Sequence, residues 1–291
     1  MHSEALLEEI VHDPASAGVN ERQATKLHER LSAIHLSRSE ALQRAAHVGR
    51  ERAEKANPTI YLANVGSSGS HWAQSMLSAL APMLPCGEVY FPTPVLDRLS
   101  ELPHQERAAF MQTYYAIHGW RDIPELRTAP AVNTAHRPKP GMMASHDRCA
   151  CLILLIRDPV EIVISRTFRK QKYRAAIGYA KSSDADYMQF NIKFVHNFFR
   201  RVDRDSFDTE IRYEDLKSNP ASTLRCLADV VGLDVLDEKI AAVAESHTAE
   251  RLAKDGRAGN LYTGCAVSPP TELIEKARAD LSEIRAKFGY A

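Results

Sequence analysis

The stretch that most constrains this chain is "CACLILLIRDPVEIVIS", in which eight apolar residues, Cys149 to Ile156, run straight into a helix signal. A continuous apolar run of that length is what a central parallel strand needs when helices cover both faces of its sheet. It is less than half of what a bilayer-spanning helix requires. Immediately after it Asp158 is placed to cap, Pro159 suits a first helical turn, and Glu161 has capping-box spacing.

The same order recurs twice. "TIYLANV", from Thr59, is β-branched and apolar, and residues 70 to 81 read as the helix that follows. In "FDTEIRYEDLKSNPASTLRCLADVVGLD" a strand gives way to a helix that Asn219 and Pro220 open and Gly232 closes, with Leu224, Leu227, Ala228 and Val231 along one face. Strands alternating with helices predict an α/β chain, a three-layer fold around a mainly parallel sheet. Residues 3 to about 55 are charged and helical in pattern and read as a solvated helical pair covering the rest. The expected division is therefore 1–57, an N-terminal helical extension, and 58–291, the α/β domain.

Lys plus Arg and Asp plus Glu are both 37, so the chain carries no net charge to draw it to a polyanion, and nucleic acid is not an expected partner. The 5 cysteines show no zinc-finger spacing and read as free thiols of a reducing compartment. The first residues, "MHSEALLEEIVHDPASAG", lack a secretory pattern. The expectation is a cytoplasmic protein with no integral membrane segment and no metal.

The chemistry centres on "NVGSSGSHW", Asn64 to Trp72, between the first strand and its helix. In a parallel α/β sheet the ligand lies beyond the carboxyl ends of the strands, and there a Ser/Gly turn aims backbone N–H groups, hydroxyls and a positive helix end at one anion. A tight turn with a serine cap is the plainer alternative. The loop lacks Gly-Lys-Ser/Thr, which disfavours an ordinary nucleoside-triphosphate site. A second anion site is suggested by Arg157 at the end of the apolar strand, with Ser165 about two turns into the next helix.

Together the Ser/Gly loop, "RDPVEIVIS" and "RYEDLKSNPASTLRCLADVVGL" resemble the sulfotransferases that use 3′-phosphoadenosine 5′-phosphosulfate (PAPS) and release the bisphosphate PAP. The resemblance runs from about Thr59 to the C-terminus and implies the P-loop-like fold of that family. It implies that Ser67, Ser68, Gly69, Ser70, His71 and Trp72 hold the 5′-phosphosulfate, and that Arg157 and Ser165 grip the 3′-phosphate. By the same resemblance Tyr213 and Trp72 lie near the adenine, and Lys254, Gly256 and Arg257 of "KDGRAGNL" stand where the family closes over the 3′-phosphate, without its Asp-Trp pair. The family's base, a histidine in a Lys-Thr/Ser-His segment before the arginine strand, is matched to His146, with Ala144 at the lysine position.

The largest departure is at Ser67, where the family carries a lysine or arginine. If the resemblance holds, another cation must serve, from "SRTFRKQKYR" or from Arg148 or Lys139. The implied reaction is in-line sulfuryl transfer to a hydroxyl or amine of a small molecule or glycoconjugate, with His146 taking the proton. The missing lysines keep a second reading open, a catalytically weak PAPS- or PAP-binding sensor or partner protein. Tyr90, Phe91, Phe110, Tyr114, Tyr115 and Trp120 read either as an acceptor wall or as ordinary core.

Overall fold

A computed structural model describes residues 2–121, 123–169, 171–254 and 269–290. Among them lies one parallel sheet of strands β1 (Thr59–Ala63), β2 (Leu84–Gly87), β3 (Ala131–Ala135), β4 (Ala150–Ile156) and β5 (Thr209–Arg212), in the order β2-β3-β1-β4-β5. The first strand is central and buried along its whole length. Its Tyr61 is in register with Asn133 on one side and Leu152 on the other.

Ten of the helices matter for the site and its support: α1 (His2–His12), α2 (Glu21–Ser32), α3 (Arg38–Glu54), α4 (Ser70–Leu80), α5 (Thr93–Ser100), α6 (His104–His118), α7 (Gly141–Ala144), α8 (Pro159–Ile164), α9 (Gln171–Ala176) and α10 (Asp184–Arg201). The pleat sorts β1 between two cores. Tyr61 faces the layer of α1 to α3, α5 and α6, while Ile60 and Leu62 face α4 and the helix Pro220–Val231. Leu154 and Ile156 of β4 bury against α8 and α10. This is the expected three-layer α/β fold.

The N-terminal segment differs from the expected pair. It forms three helices, because Pro14 and Gly18 interrupt the pattern and both Asn20 and Ser37 close capping boxes on new helices. Nor is its inner face solvated. Arg52 of α3 is buried, donating from Nε to Gln112 Oε1 at 2.9 Å and from Nη1 to the carbonyls of Leu126 and Ala129 at 2.8 Å. Burial pulls its pKa down to about 10. Gly49 lets α3 approach α6 almost backbone to backbone, since a Cβ there would lie 2.5 Å from Thr113 Cα.

Asp158 caps α8 as expected, its Oδ1 accepting from Val160 N–H at 2.8 Å. Glu161 does not complete a capping box; Arg157, one turn back on the same face, takes its carboxylate instead. β5 runs directly into a short helix, Tyr213–Ser218; the next helix, Pro220–Val231, ends at Gly232 in the left-handed region, φ 74°, though Asn219 gives it no side-chain cap. Among the described residues no helix is long and apolar enough to cross a membrane.

Candidate active site

The carboxyl ends of all five strands meet at one edge, and each delivers one part of the site. After β1 the chain turns on Asn64, whose Oδ1 accepts from Gly66 N–H at 2.8 Å while its Nδ2 donates to Leu62 O at 3.0 Å. Gly66 (φ 79°), Ser67 (φ 62°) and Gly69 (φ 88°) all lie in the left-handed region. For Ser67 that conformation is strained, and strain of this kind persists where the surroundings fix it for a purpose. The buried hydroxyls of Ser67 and Ser68 have no hydrogen-bond partner, and α4 opens at Ser70 without a side-chain cap. Uncapped N–H groups, a run of positive φ and orphaned hydroxyls make an anion cradle.

On the β4–β5 side, Arg157 lies over the ring of Tyr213, 4.4 Å from guanidinium carbon to centroid. Its Nη1 donates to Ser67 O at 3.2 Å and its Nη2 to Glu161 Oε2 at 3.2 Å. Gly69 carries no side chain because Tyr213 leaves no room: a Cβ there would lie 2.7 Å from Cδ2 of the ring. Trp72 sits beneath, edge-on to Tyr213 at 5.8 Å, with its Nε1 donating to His247 O at 2.8 Å. It is buried and supports Tyr213 rather than offering a face of its own. Asp158 is held by Arg285, Nη2 to Oδ2 3.1 Å, which leaves Arg157 independent of it.

On the β2–β3 side, His136 directly follows β3. Its Nδ1 lies 3.1 Å from Asn64 O and its Nε2 2.8 Å from Glu88 Oε1, the residue that follows β2. The hydrogen bond from His136 holds the Glu88 carboxyl below the ordinary carboxylate range, against the opposing effect of burial. Tyr90 accepts the His136 backbone N–H at 2.6 Å, and Asn133 pins Val89 through both its N–H and C=O. The loop end, His136 and Glu88 are thus tied to one another across three neighbouring strands.

The sulfotransferase family model matches residues 146–238, the segment that holds β4, Arg157, Ser165, β5 and Tyr213. That segment resembles sulfotransferases. Among solved structures, mouse sulfotransferase SULT7A1 complexed with PAP is 14% identical, with a TM-score of 0.48 over 80% of this chain and 85% of that one. Sulfotransferase STF9 from Mycobacterium avium is 10% identical, TM-score 0.47, over 81% and 77%. The sulfotransferase domain from the curacin biosynthetic pathway is 14% identical, TM-score 0.43, over 81% and 98%. Likenesses at these scores carry nothing about the chemistry. No curated protein matches the chain at a significant level.

The sulfotransferase segment and the loop before it bring together Ser67, Ser68, Gly69, Ser70, Arg157 and Tyr213. Ser165 is buried at the start of a π-helical turn, Ser165–Arg169, that continues α8. His71 is exposed on the first turn of α4, on the side of Glu88, whose carboxyl it helps to lower. Lys254 is exposed at the end of its helix, Ala249–Lys254, and Gly256 and Arg257 lie outside the described residues.

His146 is corrected. It precedes β4, so it stands at the amino end of that strand, and the strand's seven residues set it about 20 Å from the loop. There it is buried with Nδ1 unpartnered, its pKa lowered by burial and then by the charges of Arg107 and His104. It cannot reach a group held at the carboxyl ends. The histidine at the carboxyl edge, His136, directly follows the short strand "AVNTA", and Glu88 directly follows β2. A histidine directly after an apolar segment was the available signal. Arg148 is at the same wrong end as His146, and Lys139 pairs with Asp203 at 3.8 Å, so neither serves the loop. Phe91, Phe110, Tyr114 and Tyr115 are buried in the core. Among the described residues no cluster of His, Cys, Asp and Glu is placed to hold a metal.

Proposed function

We propose that this chain transfers a sulfuryl group from PAPS to the hydroxyl of a small-molecule acceptor, with the Glu88–His136 pair receiving the acceptor's proton. Residues 58–291 form the catalytic unit in this reading and residues 1–57 its helical cover. The observation that carries it is the division of the strand ends: an anion cradle in the middle, an arginine stacked on tyrosine to one side, and a carboxylate–imidazole pair to the other.

Each half has a task. The orphaned Ser67 and Ser68 hydroxyls and the open end of α4 suit the 5′-phosphosulfate. Arg157 and Ser165 suit the 3′-phosphate: the Arg157–Glu161 pair is half exposed on the glutamate side, so a phosphate displaces it at little cost. Tyr213 suits the neighbourhood of the adenine. On the acceptor side, His136 Nε2 takes the acceptor's proton once the acceptor hydroxyl displaces Glu88 from it, as the acceptor oxygen attacks sulfur.

Transfer of labelled sulfate from PAPS into a panel of alcohols, phenols, amines and glycans tests the activity. Calorimetry with PAP against ATP tests the nucleotide; equal affinity for the two would sink the PAPS assignment. Arg157→Ala should weaken PAP binding by about 1.5–3 kcal/mol, the worth of a charged hydrogen bond. PAP binding without transfer to any acceptor class would favour the sensor reading, which the serine at position 67 keeps in view.

A further inference from the structure

The cradle has a cation at its back, Arg166 of the basic run "SRTFRKQKYR". Arg166 lies in the π-helical turn after α8, and with Ser165 and Thr167 it makes three consecutive buried residues. Turns of this kind break the helical period and recur at functional sites. Its Nε donates to Asn191 Oδ1 at 3.0 Å, and Nη1 reaches Val65 O at 3.4 Å. Phe194 and Tyr173 lie against the guanidinium, 4.4 and 5.3 Å from ring centroid to guanidinium carbon. Its Nη2 is buried with no partner. A Cβ on Gly66 would come within 2.9 Å of Nη1 and 3.5 Å of His136 Nε2, so guanidinium and imidazole flank the same loop glycine.

None of the ion pairs among the described residues involves Arg166, whereas Arg157 has Glu161 and Arg285 has Asp158. A buried charge without a counter-ion is costly unless a ligand completes it. The hydroxyls of Ser67 and Ser68 are orphaned in the same loop. We propose that Arg166 supplies the positive charge that the loop lacks at Ser67, donating from Nη2 to the phosphosulfate as its sulfur–oxygen bond breaks.

The inference rests on the PAPS reading and adds the charge balance to it. The acceptor oxygen bonds to sulfur while the bond from sulfur to the bridging oxygen breaks, and that electron pair stays on the departing phosphate. The acceptor proton goes to the Glu88–His136 pair, and the products are a sulfate ester, PAP and a proton. Negative charge grows on the leaving phosphate, and a fixed guanidinium in a water-poor setting stabilises it more there than in the bound substrate.

Arg166→Gln keeps a donor for Val65 O and removes the charge. It should lower kcat about 100-fold or more, in line with loss of a single charge-stabilising donor, while PAP affinity changes less than tenfold. Adding Ser67→Lys to that variant, which restores the family's cation from the other side, should recover at least tenfold. Turnover within threefold of the parent in R166Q overturns the proposal, and so does a large loss that Ser67→Lys fails to recover. Should R166Q not fold, Arg166→Lys decides by its pH profile: a lysine near pKa 10.4, lowered by burial, should add a fall in kcat towards pH 10 that the parent lacks. A profile like the parent's overturns the proposal. A parent protein that neither binds PAP nor transfers sulfate refutes the PAPS reading itself, whereas an active parent with an active R166Q refutes only the role of Arg166.

Discussion

His136 Nε2 meets Glu88 Oε1 at 2.8 Å, joining the ends of two neighbouring strands. A carbonyl oxygen only accepts, so the His136 Nδ1 that faces Asn64 O carries a hydrogen, and Nε2 is the atom that exchanges a proton with Glu88 or with an acceptor. His136→Ala should therefore lower turnover about 100-fold or more, the usual worth of a positioned base, with PAP affinity nearly unchanged. His146→Ala, altered at the far end of β4, should stay within threefold. Steady-state transfer of labelled sulfate reads both; equal losses at unchanged melting temperature would return the base to His146.

The same pair predicts an acid dependence of stability. A carboxyl held below its ordinary pKa stabilises the fold above the unfolded-state value, about 4.3, and that contribution disappears as pH falls through the folded-state value. Because the Glu88 side chain is 42% exposed, the effect is discounted to at most about 1 kcal/mol. Glu88→Gln should be less stable than the parent at pH 7, by a gap that shrinks as pH falls below about 4.3. Denaturant titrations at neutral and acid pH check this, and a gap that keeps its size at the acid end contradicts it.

Gly69 should not tolerate alanine. Its φ of 88° already disfavours a side chain, and the added carbon would press on a Tyr213 ring that is itself held against Arg157. Gly69→Ala should cost more than about 1 kcal/mol of stability and weaken PAP binding by displacing Tyr213. A calorimetric titration showing parental affinity would mean that the tyrosine has no part in the site.

Gly49 should be equally intolerant for a different reason. Its backbone is an ordinary helix interior, where alanine is normally favoured by about 1 kcal/mol, but Thr113 of α6 occupies the space. Overpacking at that crossing should reverse the sign, making Gly49→Ala about 3 kcal/mol destabilising. An unfolding curve that shows a gain would mean that α3 and α6 separate freely.

Much of this site follows from local rules applied to the sequence. Asp158, Pro159, Asn219, Pro220 and Gly232 mark helix boundaries through local geometry and capping, and Arg157 announces itself by ending an apolar run. His146 and His136 differ in which end of a strand they adjoin. A residue just before β4 and a residue just after β3 are ten positions apart in sequence, yet only the second lies at the ligand edge. The strand that would have settled the choice, "AVNTA", carries a buried Asn133 whose amide is satisfied by Val89, a partner 44 positions away.

The sequence by itself determined the alternation of strand and helix, the anion loop at Ser67–Ser70 and the arginine opposite it, because each depends on neighbours within a few residues. The tertiary structure decided which histidine joins the loop, that Glu88 pairs with it, and that Arg166 stands unpaired among the described residues at the back of Gly66. Those relations are set by which strand ends lie side by side and by what burial leaves without a partner, and neither is a property of spacing along a chain.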